Sequence, residues 1–281
     1  TEPGDHIVIN PPIYPPFFST VEKVARRTVR EVPLRRSGAG YEIDIEAMQR
    51  AFADPQVRGY VLCSPHNPTG TVHSRETLQV IADLAAEHGV LVISDEIHAP
   101  LTLPGAVHAP YLSVADDDAR AVACLSASKT WNIPGLKCAQ VVGTGATASV
   151  LREQVPLEAT FGVGHFGVLG TLAAYRDGGA WRSQMLEVLD RRRRQLVDGL
   201  TRTEGVQVAW PEASYLAWVR IDGLGEDPAQ VLLDEGNLAL NSGLPFGGAG
   251  IGHVRINFAT SETLLAEVLH SLGAVVRSRA S

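Results

Sequence analysis

The feature that most constrains this chain is the alternation, through its first half, of strand-length apolar runs with amphipathic stretches. Residues 6–10 (HIVIN), 29–33, 59–63 (GYVLC), 90–94 (VLVIS), 121–125 (AVACL) and 139–143 (AQVVG) are short and bounded by Gly, Pro or polar residues. Such runs predict strands buried on both faces. Between them, Asp44 caps a helix expected over 45–53. Ser74 caps a second, whose Leu78, Ile81, Ala82, Leu84 and Ala85 recur at helical spacing until Gly89 stops it. Strand, helix and strand repeated in this way predict an α/β fold, a mostly parallel sheet wrapped by helices. Folds of this kind put ligands at the carboxyl ends of their strands.

After Gly145 the pattern changes to longer helices, expected over 163–176 and 181–203, with a domain hinge near Gly178 and Gly179. Strands near 206–209, 215–221, 238–241 and 254–257, with helices near 228–235 and 261–272, predict a smaller α+β domain. The expected division is a large domain over 1–180 and a small C-terminal domain over 181–281, within the reach of a 281-residue chain. Acidic residues outnumber basic ones by 31 to 24, and a net charge of −7 leaves no electrostatic footprint for duplex nucleic acid or an anionic membrane. The apolar runs fall far short of the roughly 18 residues a membrane helix needs. Cys63, Cys124 and Cys138 are widely spaced, with no CxxC pair, so neither a disulfide framework nor a zinc site is expected, and a reducing cytoplasm is.

Other features have ordinary expectations. The arginine run 191–194, flanked by Glu187, Asp190 and Asp198, predicts a solvated, salt-bridged helix face. The glycines of 243–252 lack the strand-turn-helix frame of a dinucleotide loop and predict a mobile loop. His6, His88, His108 and His270 have no metal-ligand spacing, and Cys63 and Cys124 fall inside core strands. No metal is expected.

Four elements in loops or strands carry chemistry. Ser64-Pro65-His66-Asn67-Pro68-Thr69-Gly70 follows the run ending at Cys63; Ser94-Asp95-Glu96-Ile97-His98 ends an apolar strand in carboxylates that packing does not call for. Ser126-Ala127-Ser128-Lys129 closes another strand and leads to Gly135-Leu136-Lys137, and Arg255 is a cation inside the apolar run VRINF, costly to bury without a partner.

Together and in this order, the motifs resemble the fold-type I pyridoxal-phosphate (PLP) enzymes of the aminotransferase class I/II superfamily. SPHNPTG, ISDEIH and SASKTWNIPGLKC, preceded by PPIYPPF, look most like the MalY/PatB group of cystathionine β-lyases, also called cysteine-S-conjugate β-lyases. The resemblance implies the PLP-dependent transferase-like fold for the large domain, PLP as cofactor, a small amino-acid substrate and a homodimer. It implies that Lys129 bonds to the cofactor aldehyde and carries the substrate α-proton, and that Asp95 pairs with the pyridine nitrogen. It further implies that Asn67 donates to the cofactor's phenolic oxygen, that Tyr14 stacks on the ring, and that Ser126, Ser128 and Lys137 bind the phosphate. Many relatives carry Arg where Lys137 stands. His98 occupies the place of a tyrosine that touches the same oxygen in many aminotransferases, and Arg255 is implied to grip the substrate α-carboxylate.

The activity implied is cleavage of cystathionine or cysteine S-conjugates to thiol, pyruvate and ammonia. An aminotransferase uses the same residues and is the alternative; a catalytically silent PLP-fold binding module is a second, of another class. Relatives carry a further segment ahead of Pro3-Gly4-Asp5, including a phosphate loop and the first sheet strand, so the chain reads as N-terminally truncated, with an open sheet edge at 139–143.

Overall fold

The protein is described by a computed structural model covering residues 1–38, 40–143 and 145–280. The strands are β1 (His6–Ile9), β2 (Thr28–Glu31), β3 (Arg35–Ser37), β4 (Gly40–Glu42), β5 (Val57–Cys63), β6 (Leu91–Asp95), β7 (Ala121–Leu125), β8 (Gln140–Gly143), β9 (Val206–Val208), β10 (Leu216–Ile221), β11 (Asn241–Ser242) and β12 (His253–Asn257). The helices are α1 (Pro16–Ser19), α2 (Ile45–Phe52), α3 (Arg75–His88), α4 (Gly145–Gln154), α5 (Leu157–Phe161), α6 (His165–Asp177), α7 (Gly179–Leu200), α8 (Pro228–Gly236) and α9 (Glu262–Ala280).

A six-stranded sheet runs in the order β2-β1-β5-β6-β7-β8. Its strands are parallel except β8, which runs antiparallel to β7. Alternate residues of the central strands enter different cores, as the strand period requires. Val8, Tyr60, Leu62 and Val92 pack with Met48, Phe52, Leu78 and Ile81 of α2 and α3. Ile7, Ile9, Val61 and Cys63 face the opposite side, against Ile13 and Val21. Burying side chains such as Leu78 and Ile81 completely stabilises the fold by about 2 kcal/mol each. The helix ends follow their caps: Asp44 accepts from the Ala47 amide at 3.0 Å and Ser74 from Thr77 at 3.1 Å, while Gly89 closes α3 at φ 63°.

A second, four-stranded sheet, β11-β12-β10-β9, is antiparallel and covered by α7, α8 and α9. Leu101 and Leu103, which lie early in the chain, also pack into this core. The strand expected over 238–241 is found instead at Asn241–Ser242, and the β3–β4 hairpin appears where no strand was expected. Among the described residues no helix is long and apolar enough to cross a membrane.

Two expectations are corrected. The arginine run is not uniformly solvated: Arg193 is buried, donating to the carbonyls of Pro211 (2.8 Å) and Pro104 (2.9 Å) and lying over the Trp210 ring. Helical spacing explains it, because Arg193 shares the inward line of α7 with Leu189, Leu196 and Leu200. The glycine-rich loop is not loose either. It folds into two 3-10 turns, Leu244–Phe246 and Gly248–Gly250, that bury Phe246 and bring the Gly243 and Gly250 backbones too close for any side chain. Among the described residues the strand at 139–143 forms an edge: β8 pairs only with β7 and leaves Val141 and Val142 exposed.

Candidate active site

Register brings the motifs together. Cys63 pairs with Asp95 and Asp95 with Cys124, so β5, β6 and β7 end level with one another. Two backbone bonds continue the alignment past the strands, from Ser64 N–H to the Asp95 carbonyl (3.0 Å) and from Glu96 N–H to the Cys124 carbonyl (2.9 Å). Laterally paired residues of parallel strands point to the same face, so the thiols of Cys63 and Cys124 flank the Asp95 carboxylate.

The adjacent carboxylates Asp95 and Glu96 have different surroundings. Glu96 is buried and saturated, accepting from Ser94 Oγ (2.9 Å), the Tyr111 amide (2.8 Å) and His108 Nε2 (3.1 Å). Among the described residues Asp95 accepts only from the Ile97 amide, at 3.2 Å. Burial lifts its carboxyl to about 6, against the pull of that amide and of the Lys129 ammonium. His98 is buried, its Nδ1 has no hydrogen-bond partner among the described residues, and its ring meets Tyr215 edge-on at 6.1 Å. Burial, then the charges of Lys129 and Arg255, push its pKa down to about 3, which keeps the imidazole neutral. Lys129 thus sits within electrostatic reach of both Asp95 and His98.

Arg255 enters from the other sheet. Its Nη1 donates to Asn67 Oδ1 and its Nη2 to Asn241 Oδ1, both at 3.0 Å, while among the described residues Nε has no partner, and the guanidinium lies 5.1 Å from the Phe246 ring centre. Both acceptors are neutral amides. Burial lowers its pKa, and the oxygens of Tyr14 and Tyr215 oppose that shift, which places both tyrosines near the guanidinium. At the end of β7, Ser126 Oγ donates to the Cys138 carbonyl at 2.7 Å, lies 2.9 Å from Ser128 Oγ and accepts from the Ser128 amide at 3.1 Å. This ties the turn that carries Lys129 to the chain beside Lys137. Lys137 itself takes a left-handed φ of 49° and is exposed at the rim, outside the buried group.

The sequence reading missed Tyr215, Asn241, Phe246 and Cys63. Cys63 Sγ accepts from the Asn67 amide (3.4 Å) and donates to the Pro65 carbonyl (3.6 Å), shaping the loop that presents Asn67. A signal existed for Asn241, a polar residue ending an apolar run. None marks Phe246, which is brought in by tertiary folding of a glycine-rich segment. Among the described residues no group of three or more His, Cys, Asp or Glu is placed to hold a metal ion.

The SPHNPTG loop carries a pH consequence. His66 and His73 are buried, and burial pushes them down to about 3 and about 4 from 6.5. Both stay neutral in the folded state, whereas the unfolded chain takes up protons below 6.5, so stability falls as pH drops through 6.5 toward 4. His98 acts in the same sense. Asp95 acts oppositely, its charge being relieved between about 6 and 3.8. At about 1.4 kcal/mol per pH unit per group, the three histidines prevail over Asp95, and urea unfolding of the cofactor-free chain is expected to lose on the order of 4 kcal/mol between pH 7 and pH 5. Unchanged or higher stability at pH 5 contradicts this.

The chain is similar to several known proteins. The family model described as aminotransferase class I and II matches residues 1–272. Cystathionine beta-lyase PatB of Bacillus subtilis is 35% identical over 287 residues, covering 98% of this chain and 73% of the relative. Protein MalY of Escherichia coli is 31% identical over 294 residues, covering 99% and 72%. Among solved structures, cystalysin from Treponema denticola, which contains a pyridoxal 5'-phosphate cofactor, superposes with a TM-score of 0.91 at 27% identity, covering 99% of this chain and 72% of that one. The α/β architecture, the level strand ends and these matches lead to one assignment: the chain belongs to the aminotransferase class I and II family.

Proposed function

We propose that this chain is a PLP-dependent carbon–sulfur β-lyase that cleaves cystathionine or other cysteine S-conjugates to thiol, pyruvate and ammonia. The observation that carries the reading is the convergence of Lys129, Asp95, His98, Asn67 and Arg255 at the level ends of three parallel strands, in a chain whose relatives include PatB.

The residues present fit the cofactor. Asp95 is a desolvated carboxylate with one hydrogen bond and a raised pKa, so it gains most from a cationic ring nitrogen. Among the described residues His98 Nδ1 and Ser64 Oγ are buried polar atoms without partners, both in loops that follow strands of the parallel sheet. When bound, PLP supplies an electron-withdrawing ring that takes up the electron pair left by the substrate's departing α-proton.

Each role belongs to a residue of this chain. Lys129 would hold the cofactor aldehyde and, as a free amine, would accept the α-proton and could pass it to the departing thiolate. Asp95 keeps the ring nitrogen protonated. Asn67 spends its Oδ1 on Arg255, which leaves its amide N–H groups to donate to the ring oxygen. His98, neutral, adds a second polar contact there, and Tyr14 covers a ring face. Ser126, Ser128 and Lys137 hold the phosphate, Lys137 as a point charge from the rim. Arg255 holds the substrate carboxylate in its fork and so orients the Cα–H bond.

In this proposal residues 1–180 form the cofactor-binding domain and 181–281 the small domain, acting as a cytoplasmic homodimer. The exposed apolar side chains of Phe161, Phe166, Leu169 and Leu172 support a subunit contact. The test is incubation of the purified, PLP-loaded chain with cystathionine in the absence of any keto acid. Release of thiol and pyruvate is expected. Turnover only when a keto-acid acceptor is added instead makes the chain an aminotransferase, and failure to acquire a visible cofactor absorption leaves a silent binding module.

A further inference from the structure

Away from the strand ends, a crevice of about 550 Å³ opens between the β3–β4 hairpin and the loops 221–226 and 248–252. One wall is prebuilt. His253 is fixed by Ile251 O (2.8 Å from Nδ1), the Tyr41 hydroxyl (3.4 Å from Nε2) and flat stacking on Trp218, with ring centres 5.0 Å apart at 8°. Trp218 in turn meets Phe246 at 5.0 Å, and Phe246 carries the Arg255 guanidinium at 5.1 Å. Strand register explains the line: Trp218 pairs with Arg255, and Arg220 with His253, two residues along the same pair of strands. A continuous line of ring contacts, stacked at His253 and Trp218 and tilted at Phe246, therefore runs from the crevice to Arg255.

The charges in the crevice are unevenly matched. Arg220 is paired with Asp222 at 2.7 Å. Arg36 donates only to the neutral Gln207 Oε1 (2.9 Å), and among the described residues neither Arg36 nor Glu226 is in an ion pair. The half-exposed side chain of Ile251 supplies apolar surface in the crevice. One unpaired cation, one unpaired anion and an apolar wall complement a zwitterion that carries an aliphatic side chain.

We propose that this crevice is an effector site for a free aliphatic amino acid, whose carboxylate pairs with Arg36 and whose ammonium pairs with Glu226. Its occupancy bears on His253 and, through Trp218 and Phe246, on Arg255. The binding stands independently of the lyase reading, whereas its effect on substrate affinity rests on Arg255 holding the substrate carboxylate.

The probe is L-leucine, titrated calorimetrically into the PLP-loaded chain and into Arg36→Gln and Glu226→Gln. Both substituted side chains are exposed, and Lys129, Asp95 and His98 do not line the crevice, so folding and basal turnover of cystathionine are expected to persist. Saturable binding is expected in the wild type, weakened at least about tenfold in each variant, equivalent to about 1.4 kcal/mol. Because the catalytic site is intact in all three chains, only the heat lost in the variants belongs to the crevice. Saturating L-leucine is expected to shift KM for cystathionine at least twofold more in the wild type than in the variants, with kcat unchanged. Identical heats in the three chains, or a KM that moves equally in all, overturns the proposal. A chain without lyase activity that still shows the calorimetric difference retains the binding site and sinks only the catalytic reading of Arg255.

Discussion

Replacing Lys129 by alanine is expected to lower cystathionine cleavage by about 10⁴-fold, the upper range for loss of a general base, because covalent capture of the cofactor is lost with it. Lys129→Arg is the sharper variant. It keeps a positive charge beside Asp95 and His98, so the electrostatics that hold Asp95 partly ionised and His98 neutral survive. A guanidinium does not give up its proton and cannot serve as the amine. Both variants are therefore expected to be equally inactive, while only alanine disturbs the titration of its neighbours. The measurement is kcat for both, alongside cofactor retention on gel filtration. An arginine variant that keeps more than a tenth of the activity removes Lys129 from the chemistry.

The second large effect is expected at Asp95. Asp95→Asn keeps the shape and can still accept from the Ile97 amide, but it removes the charge proposed to hold a proton on the ring nitrogen. A fall in kcat of about 10²–10³ is expected, the size seen when one preorganised electrostatic partner is deleted. Stability should move the other way. In the cofactor-free chain, burial disfavours the Asp95 charge and lifts its pKa to about 6, so the neutral amide is expected to raise the melting temperature at pH 7. A residue with a packing role alone would lower both quantities. An Asp95→Asn protein that melts lower and turns over normally contradicts the assignment.

The parallel sheet was readable in the sequence because its strands are buried on both faces and punctuated by Gly, Pro and capping residues; Asp44, Ser74 and Gly89 act where their chemistry says they should. The Ser64–Gly70, Asp95–His98 and Ser126–Lys129 motifs were readable for a related reason: a strand that ends in polar groups has few purposes besides a site. What the sequence hid depends on long-range contact. Arg193 reads as one of four solvated arginines until α7 is placed, and its position on the inward line then decides its fate. Phe246, in a loop whose glycines suggest looseness, becomes fixed only when Trp218 and Arg255 close over it. The β3–β4 hairpin, three residues per strand, is too short and too polar to declare a period.

The two sulfurs flanking Asp95 have a consequence for the chemistry proposed next to them. Burial, reinforced by the Asp95 charge, raises the pKa of Cys63 far above its ordinary value and that of Cys124 to about 11, so neither forms thiolate near neutral pH. Disulfide exchange and attack on electrophiles both require the thiolate. A reaction centre that liberates mercaptans from its substrate can thus keep cysteines as its own walls without being trapped by mixed disulfides with what it releases.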